Sequence, residues 1–236
     1  TSWLSREGVF AVAFMPLAMA WLASIWFDAP AWLRDFAGFL AAVLAWITVF
    51  STGMIYGCLK TIRQWNTPLV PANYLALGYA TGSLLMLFGA VTAGLELMPF
   101  ISLSALIISI AAVLKAIYYF WIQSPGLTPT LNTATGLTRA KVKLLDTGHT
   151  HGTFLTQEFG FKIAREKAGF LKIVVFVLGF AVPGLMLVSI FNAQAGGDSA
   201  ALVAALSGLV GVAVERWLFF AEARHVVNLY HGAQRC

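Results

Sequence analysis

The stretch FLKIVVFVLGFAVPGLMLVSIFNA, residues 170–193, decides the fold. One ionisable side chain, Lys172, stands near its start, and the rest is apolar or small. A helix that crosses the hydrocarbon core of a bilayer needs about 20 consecutive residues of this kind. Inside lipid the backbone must satisfy its own hydrogen bonds, which a helix does within one segment. Working outward, five more stretches read the same way: about 8–27, 36–58, 73–95, 99–122 and 200–221. The helical pattern of the last continues to about Tyr230.

Composition agrees. Of 236 residues, 59% are hydrophobic and 11% charged, with a mean hydropathy of +0.81. A soluble domain carries about 25% charged residues, and a water-soluble fold of this length has no interior large enough for so much apolar surface. The fold class expected is all-α, a polytopic transmembrane helix bundle forming a single domain over 1–236. The chain opens Thr1-Ser2-Trp3-Leu4-Ser5-Arg6-Glu7, without the pattern of a signal peptide. It is expected to be the later part of a longer chain.

Most connections are short and rich in Gly, Pro and Asp. Two are long. Residues 60–72 carry Pro68 and Pro71, and 123–169 form an extramembrane loop whose end, 154–167, reads as a short amphipathic helix. Successive spans alternate sides, so the connections fall into two sets. Thirteen of the fifteen Lys and Arg lie in the set holding both chain ends and both long loops; Arg34 lies in the other, and Lys115 lies inside the fourth span. By the positive-inside rule the loop 123–169 and the C-terminus are cytoplasmic. The net charge of +5 then follows from topology and needs no nucleic acid.

Candidate chemistry is sparse. Cys58 and Cys236 form no C-x-x-C pair. A haem anchor needs axial ligands inside the bundle, but His149 and His151 fall in the loop, and His225 and His231 beyond the last apolar stretch. No metal or haem is expected. Ionisable residues within spans cost about 2.5–3.5 kcal/mol each to insert. Lys115 and Glu215 sit at similar depths, so they read either as a pair, with Arg216 snorkelling to the surface, or as a proton path. Glu7 reads either as part of a helix start capped by Ser5 or as an interfacial carboxylate that exchanges protons with a quinone. The residues alone leave both pairs of readings open. Gly53 with Gly57, and Gly78 with Gly82, are spaced for close helix approach. Pro16 and Pro183 are expected to kink their spans.

Several segments resemble the membrane-anchor subunits of the dimethyl sulfoxide reductase (DmsC-type) family. They are Ser2-Trp3-Leu4-Ser5-Arg6-Glu7, Ser51-Thr52-Gly53-Met54-Ile55-Tyr56, Ile62-Arg63-Gln64-Trp65, Pro68-Leu69-Val70-Pro71-Ala72-Asn73-Tyr74 and Glu158-Phe159-Gly160-Phe161-Lys162-Ile163-Ala164-Arg165. Most specific is Val214-Glu215-Arg216-Trp217-Leu218-Phe219-Phe220-Ala221-Glu222-Ala223-Arg224-His225. The resemblance implies eight spans, of which six are present here, and a multi-pass protein of the bacterial inner membrane. It implies a haem-free anchor that binds menaquinone or ubiquinone and docks two partners, an iron–sulfur subunit and a molybdopterin catalytic subunit. Glu7 matches the family's quinol-site acid, with Arg6 and Trp3 as neighbours in the site. Arg139, Lys141, Lys143, Lys162 and Arg165 are the expected docking cations. The substrate it implies for the whole complex is a sulfur compound, reduced as in dimethyl sulfoxide reductases or oxidised as in sulfite dehydrogenases. A transporter or membrane assembly factor is the competing class. It predicts repeats and polar midplane residues, and the middle thirds of these spans are apolar.

Overall fold

The computed structural model describes residues 2–123, 129–137, 139–146, 162–192 and 197–231. Six of its helices are long and apolar enough to cross a membrane. They are α1 (Trp3–Trp26), α2 (Ala31–Gly57), α3 (Leu69–Thr92), α4 (Met98–Gln123), α7 (Ala168–Asn192) and α8 (Asp198–Ala221). Two short helices, α5 (Leu131–Thr135) and α6 (Lys162–Glu166), lie in the long connection.

The helices begin earlier than the apolar runs. At α1 the run starts at Gly8 but the helix starts at Trp3, because Ser2 caps it by accepting from the Ser5 N–H at 3.2 Å. The amphipathic segment expected over 154–167 is helical over Lys162–Glu166; 154–161 lies outside the described residues, as do His149, His151 and Cys236. The continuous helix expected to reach Tyr230 is corrected. α8 ends at Ala221, and a separate 3-10 turn covers Val226–His231. Side chains from elsewhere take the last carbonyls of α8. Trp65 Nε1 donates to Phe219 O at 3.1 Å, and Arg165 donates to Ala221 O at 3.2 Å and Ala223 O at 2.8 Å. Those bonds replace the partners that further α-helix would supply.

α3, α4, α7 and α8 form the bundle core, with Leu84, Leu87, Ile108, Ala111, Val175, Phe180, Ala204 and Ala205 buried at its centre. The α1–α2 hairpin packs on this core through α3. Gly53 allows that approach, since a Cβ there would stand 2.6 Å from Pro71 Cα. The other expected pair does not behave so: Gly78 has only Val49 at 4.0 Å, and a Cβ on Gly82 would meet nothing.

The two span prolines differ. α1 runs unbroken through Pro16. Ahead of Pro183, α7 widens into a π-helical turn over Val177–Ala181, closed by the Val182 N–H donating to Val177 O. Proline has no N–H for the carbonyl four residues back and its ring crowds that carbonyl; the wider turn accommodates both effects. Gly179 of this turn lies backbone to backbone with Gly211 of α8, a contact that any Cβ on Gly211 would forbid.

Candidate functional site

The starts of α1, α3 and α7 and the ends of α2, α4 and α8 share one end of the bundle. It is the basic end, and two polar clusters lie there.

The first surrounds Glu7. It is the fifth residue of α1, beyond the first turn, so its carboxylate is not the cap. It reaches across to α2 instead, where Oε1 accepts from Thr52 Oγ1 at 2.7 Å. Thr52 Oγ1 also lies 3.0 Å from Thr48 O, so its single proton is shared between the carboxylate and its own helix. Glu7 and Trp3 are half-buried and Arg6 is exposed. Trp3 meets Phe50 edge-on at 6.1 Å, and Phe50 stacks on Trp46 at 5.7 Å. The Arg6 guanidinium lies over the Trp3 ring at 4.6 Å. The three residues singled out from sequence thus gather on one helix end, beside an aromatic shelf from α2.

The second cluster is buried between the core helices near the same end. Lys115 Nζ lies 2.5 Å from Glu215 Oε1, and Arg216 Nε 2.5 Å from Glu215 Oε2. The side chains of Lys115 and Glu215 are each 1% exposed. Burial at this depth is tolerable only because both carboxylate oxygens meet a cation. Arg216 does not snorkel as expected. Its guanidinium turns inward over Tyr74 at 4.1 Å and Phe219 at 4.9 Å. Lys115 in turn lies over Tyr118 at 4.4 Å and Tyr119 at 5.2 Å. Tyr119 also carries Lys172 at 5.0 Å, and Lys172 Nζ pairs with Glu222 Oε1 at 2.6 Å.

Aromatic rings lie between the clusters. Tyr56, one turn beyond Thr52 on α2, stacks on Tyr74 at 6.0 Å and meets Trp65 and Phe219 edge-on. The series Glu7, Thr52, Tyr56, Tyr74, Arg216, Glu215, Lys115 therefore crosses the bundle from α1 to α4. Thr52, Tyr74, Tyr119 and the Lys172–Glu222 pair were not singled out from sequence. Their partners on other helices lie from 45 residues away for Thr52 and Glu7 to well over a hundred for Tyr74 and Arg216, and no local spacing signals them.

Arg139, Lys141 and Lys143 are exposed, with Val142 and Leu144 half-buried between and after the two lysines. That alternation is of an extended segment showing its charges outward. Arg165 has an internal role: it is half-buried and closes the end of α8. Burial, and then the nearby Arg224, lower its pKa; arginine keeps its charge regardless. The side chain of Lys162 lies outside what the structure describes. Among the described residues no three His, Cys, Asp or Glu side chains are grouped to hold a metal, and His225 stands edge-on to Trp65 at 5.7 Å, at the basic end.

Six membrane-length helices around a buried ion cluster are those of a polytopic membrane protein whose polar groups concentrate at one end. Residues 1–221 match the family described as the DMSO reductase anchor subunit (DmsC). The chain is also similar to one subunit of the sulfite dehydrogenase of Allochromatium vinosum, with 30% identity over 98% of this chain and 74% of that protein. No solved structure matches. The chain belongs to the DmsC family of membrane-anchor subunits of molybdopterin and iron–sulfur oxidoreductases.

Proposed function

We propose that this anchor exchanges electrons between a quinone pool and a docked iron–sulfur subunit, and that Glu7 is the proton-exchanging group of its quinone site. The carrying observation is the Thr52–Glu7 hydrogen bond, which holds a half-buried carboxylate beside aromatic surface at the membrane end of α1. The residues fit a quinone headgroup. Trp3, Phe50 and Trp46 offer ring faces, Arg6 offers donors to an oxygen, and Glu7 offers a base. Quinol oxidation releases two protons and two electrons, and reduction takes them up. Thr52 orients the carboxylate, and Glu7 takes or gives the proton at its oxygen. Lys115 and Glu215 continue the polar series inward and form the candidate proton path.

The docking face consists of Arg139, Lys141 and Lys143, together with the 60–67 segment and the α8 end. The 60–67 segment is firmly held: Trp65 is buried, and Gln64 O accepts from Tyr118. The excess of Lys and Arg favours a cytoplasmic location for this end. Similarity to a sulfite dehydrogenase subunit favours a sulfur compound as the substrate of the whole complex, bound in the molybdopterin subunit.

Replacing Glu7 by Gln keeps size and hydrogen bonding and removes proton exchange. In the intact complex, quinone-linked turnover should fall at least about 100-fold, the low end of a general acid–base contribution. Turnover with an artificial dye that reaches the soluble subunits directly should stay unchanged. Equal activity of mutant and parent in both assays would reduce Glu7 to a packing residue.

A further inference from the structure

α7 packs closely along α8 and only lightly against α4. The π-helical turn and the Gly179–Gly211 backbone contact draw it toward α8. Small residues then face the gap: Ala105 and Ala112 on α4, Ala181 and Gly184 on α7. The result is a groove of about 720 Å³, lined almost wholly by apolar side chains. It extends along α7 from Lys172 at the basic end to Phe191 near the other. Both walls are membrane spans, so the groove opens to lipid rather than water.

Lys172 is the ionisable residue of its lining. One N–H of its ammonium meets Glu222 at 2.6 Å; an ammonium has three. Among the described residues, the surroundings of that end, Arg165, Lys167, Lys172 and Arg224 against Glu166 and Glu222, are net cationic. An apolar slot of membrane length ending in surplus positive charge is complementary to one kind of molecule. Basic pockets between spans on the positively charged side of a bundle take anionic headgroups, and the volume lies within the range of binding clefts.

We infer that the α4–α7 groove is a binding site for one anionic phospholipid, with an acyl chain between Ala105 and Ala181 and its phosphate at Lys172. Glu7 belongs to the α1–α2 hairpin, so this site is separate from the proposed quinone site and does not depend on it. The bound chain would fill the volume that α7 vacates by leaning on α8.

The test uses the intact complex in nanodiscs that mix phosphatidylglycerol with phosphatidylcholine, followed by detergent washing and native mass spectrometry. The parent should retain one phosphatidylglycerol per copy of this chain. Ala181→Phe and Ala105→Phe fill the groove from positions that are exposed outside the packed core, and each should abolish retention. Val113→Phe, exposed on α4 but outside the groove, should not. Lys172→Gln should weaken retention about fivefold, the effect of one Lys on an anionic headgroup. Should a filling variant fail to assemble, the Lys172→Gln titration decides alone. Retention unchanged by both filling and Lys172→Gln would overturn the site. So would selective retention of phosphatidylcholine, or of a quinone carried through purification, in place of phosphatidylglycerol.

Discussion

Replacing Glu215 by Gln should destabilise the bundle far more than replacing Lys115 by Met, although the two side chains form one ion pair. The reason lies in Arg216. Glu215 serves two cations, with Oε1 toward Lys115 and Oε2 toward Arg216, each at 2.5 Å. The triad carries a net charge of +1. Glu215→Gln raises it to +2 and leaves an ammonium and a guanidinium facing one amide in the core. Removing one partner of a buried pair costs about 3–5 kcal/mol, because the charge left behind is uncompensated. Lys115→Met lowers the net charge to zero. Glu215 keeps Arg216, and the methionine fills the space of the lysine stem between Tyr118 and Tyr119. Substitutions that leave no stranded charge and conserve volume usually cost less than about 1.5 kcal/mol. At roughly 2–4 °C per kcal/mol for a chain of this size, the melting temperature should fall by roughly 6–20 °C for Glu215→Gln. For Lys115→Met the fall should be no more than about 6 °C. Thermal unfolding of the detergent-solubilised full chain, followed by circular dichroism, measures both. Equal losses, or a larger loss for Lys115→Met, would show that Arg216 does not compensate Glu215 and would refute the triad.

Two further outcomes are expected. Arg165→Gln removes the donor to the carbonyls of Ala221, the last residue of α8, and Ala223 just beyond it, at a cost of about 1–3 kcal/mol for each group left without a partner; trypsin should cut after Arg224 faster than in the parent, at unchanged α-helix content. Reversing Arg139, Lys141 and Lys143 to Glu together should release the soluble subunits from membranes at physiological salt, scored by the molybdenum and iron that remain membrane-bound.

The six spans are legible in the sequence because lipid imposes a length and a polarity on every crossing, and both are local properties of the chain. The helix ends are less legible. Trp3 to Glu7 is polar enough to read as a flank, yet Ser2 caps a helix there. Beyond Ala221 the periodicity promises more helix, but Trp65 and Arg165 take the carbonyls first. Neither residue is near α8 in sequence, so no window along the chain registers the competition. The same holds for Gly53 and Gly82. Both belong to four-residue glycine pairs, and only the packing of Pro71 against the first gives the spacing a meaning.

The candidate sites divide along the same line. Lys115 and Glu215 stand out individually because a charge within a span is costly wherever it points, and their similar depths already suggest the pair. Arg216 reads from sequence as a surface residue because a long cationic side chain near a helix end usually reaches water. Tyr74 and Phe219 reverse that choice by giving the guanidinium two ring faces, and Glu215 holds its Nε. A cation next in sequence to a buried carboxylate has both options, and the rings that decide between them come partly from another helix. Glu7 is legible as an interfacial acid, but its direction is not. Directed at its own helix end it would cap; directed at Thr52 it is a carboxylate held between two spans, the placement that the proposed proton exchange needs. Thr52 therefore sets the direction of the Glu7 carboxylate. It lies 45 residues away on a helix that reaches α1 through a turn of a few residues, so the α1–α2 hairpin alone fixes the geometry of the carboxylate, while the core helices supply only the inward continuation through Tyr74 and Arg216.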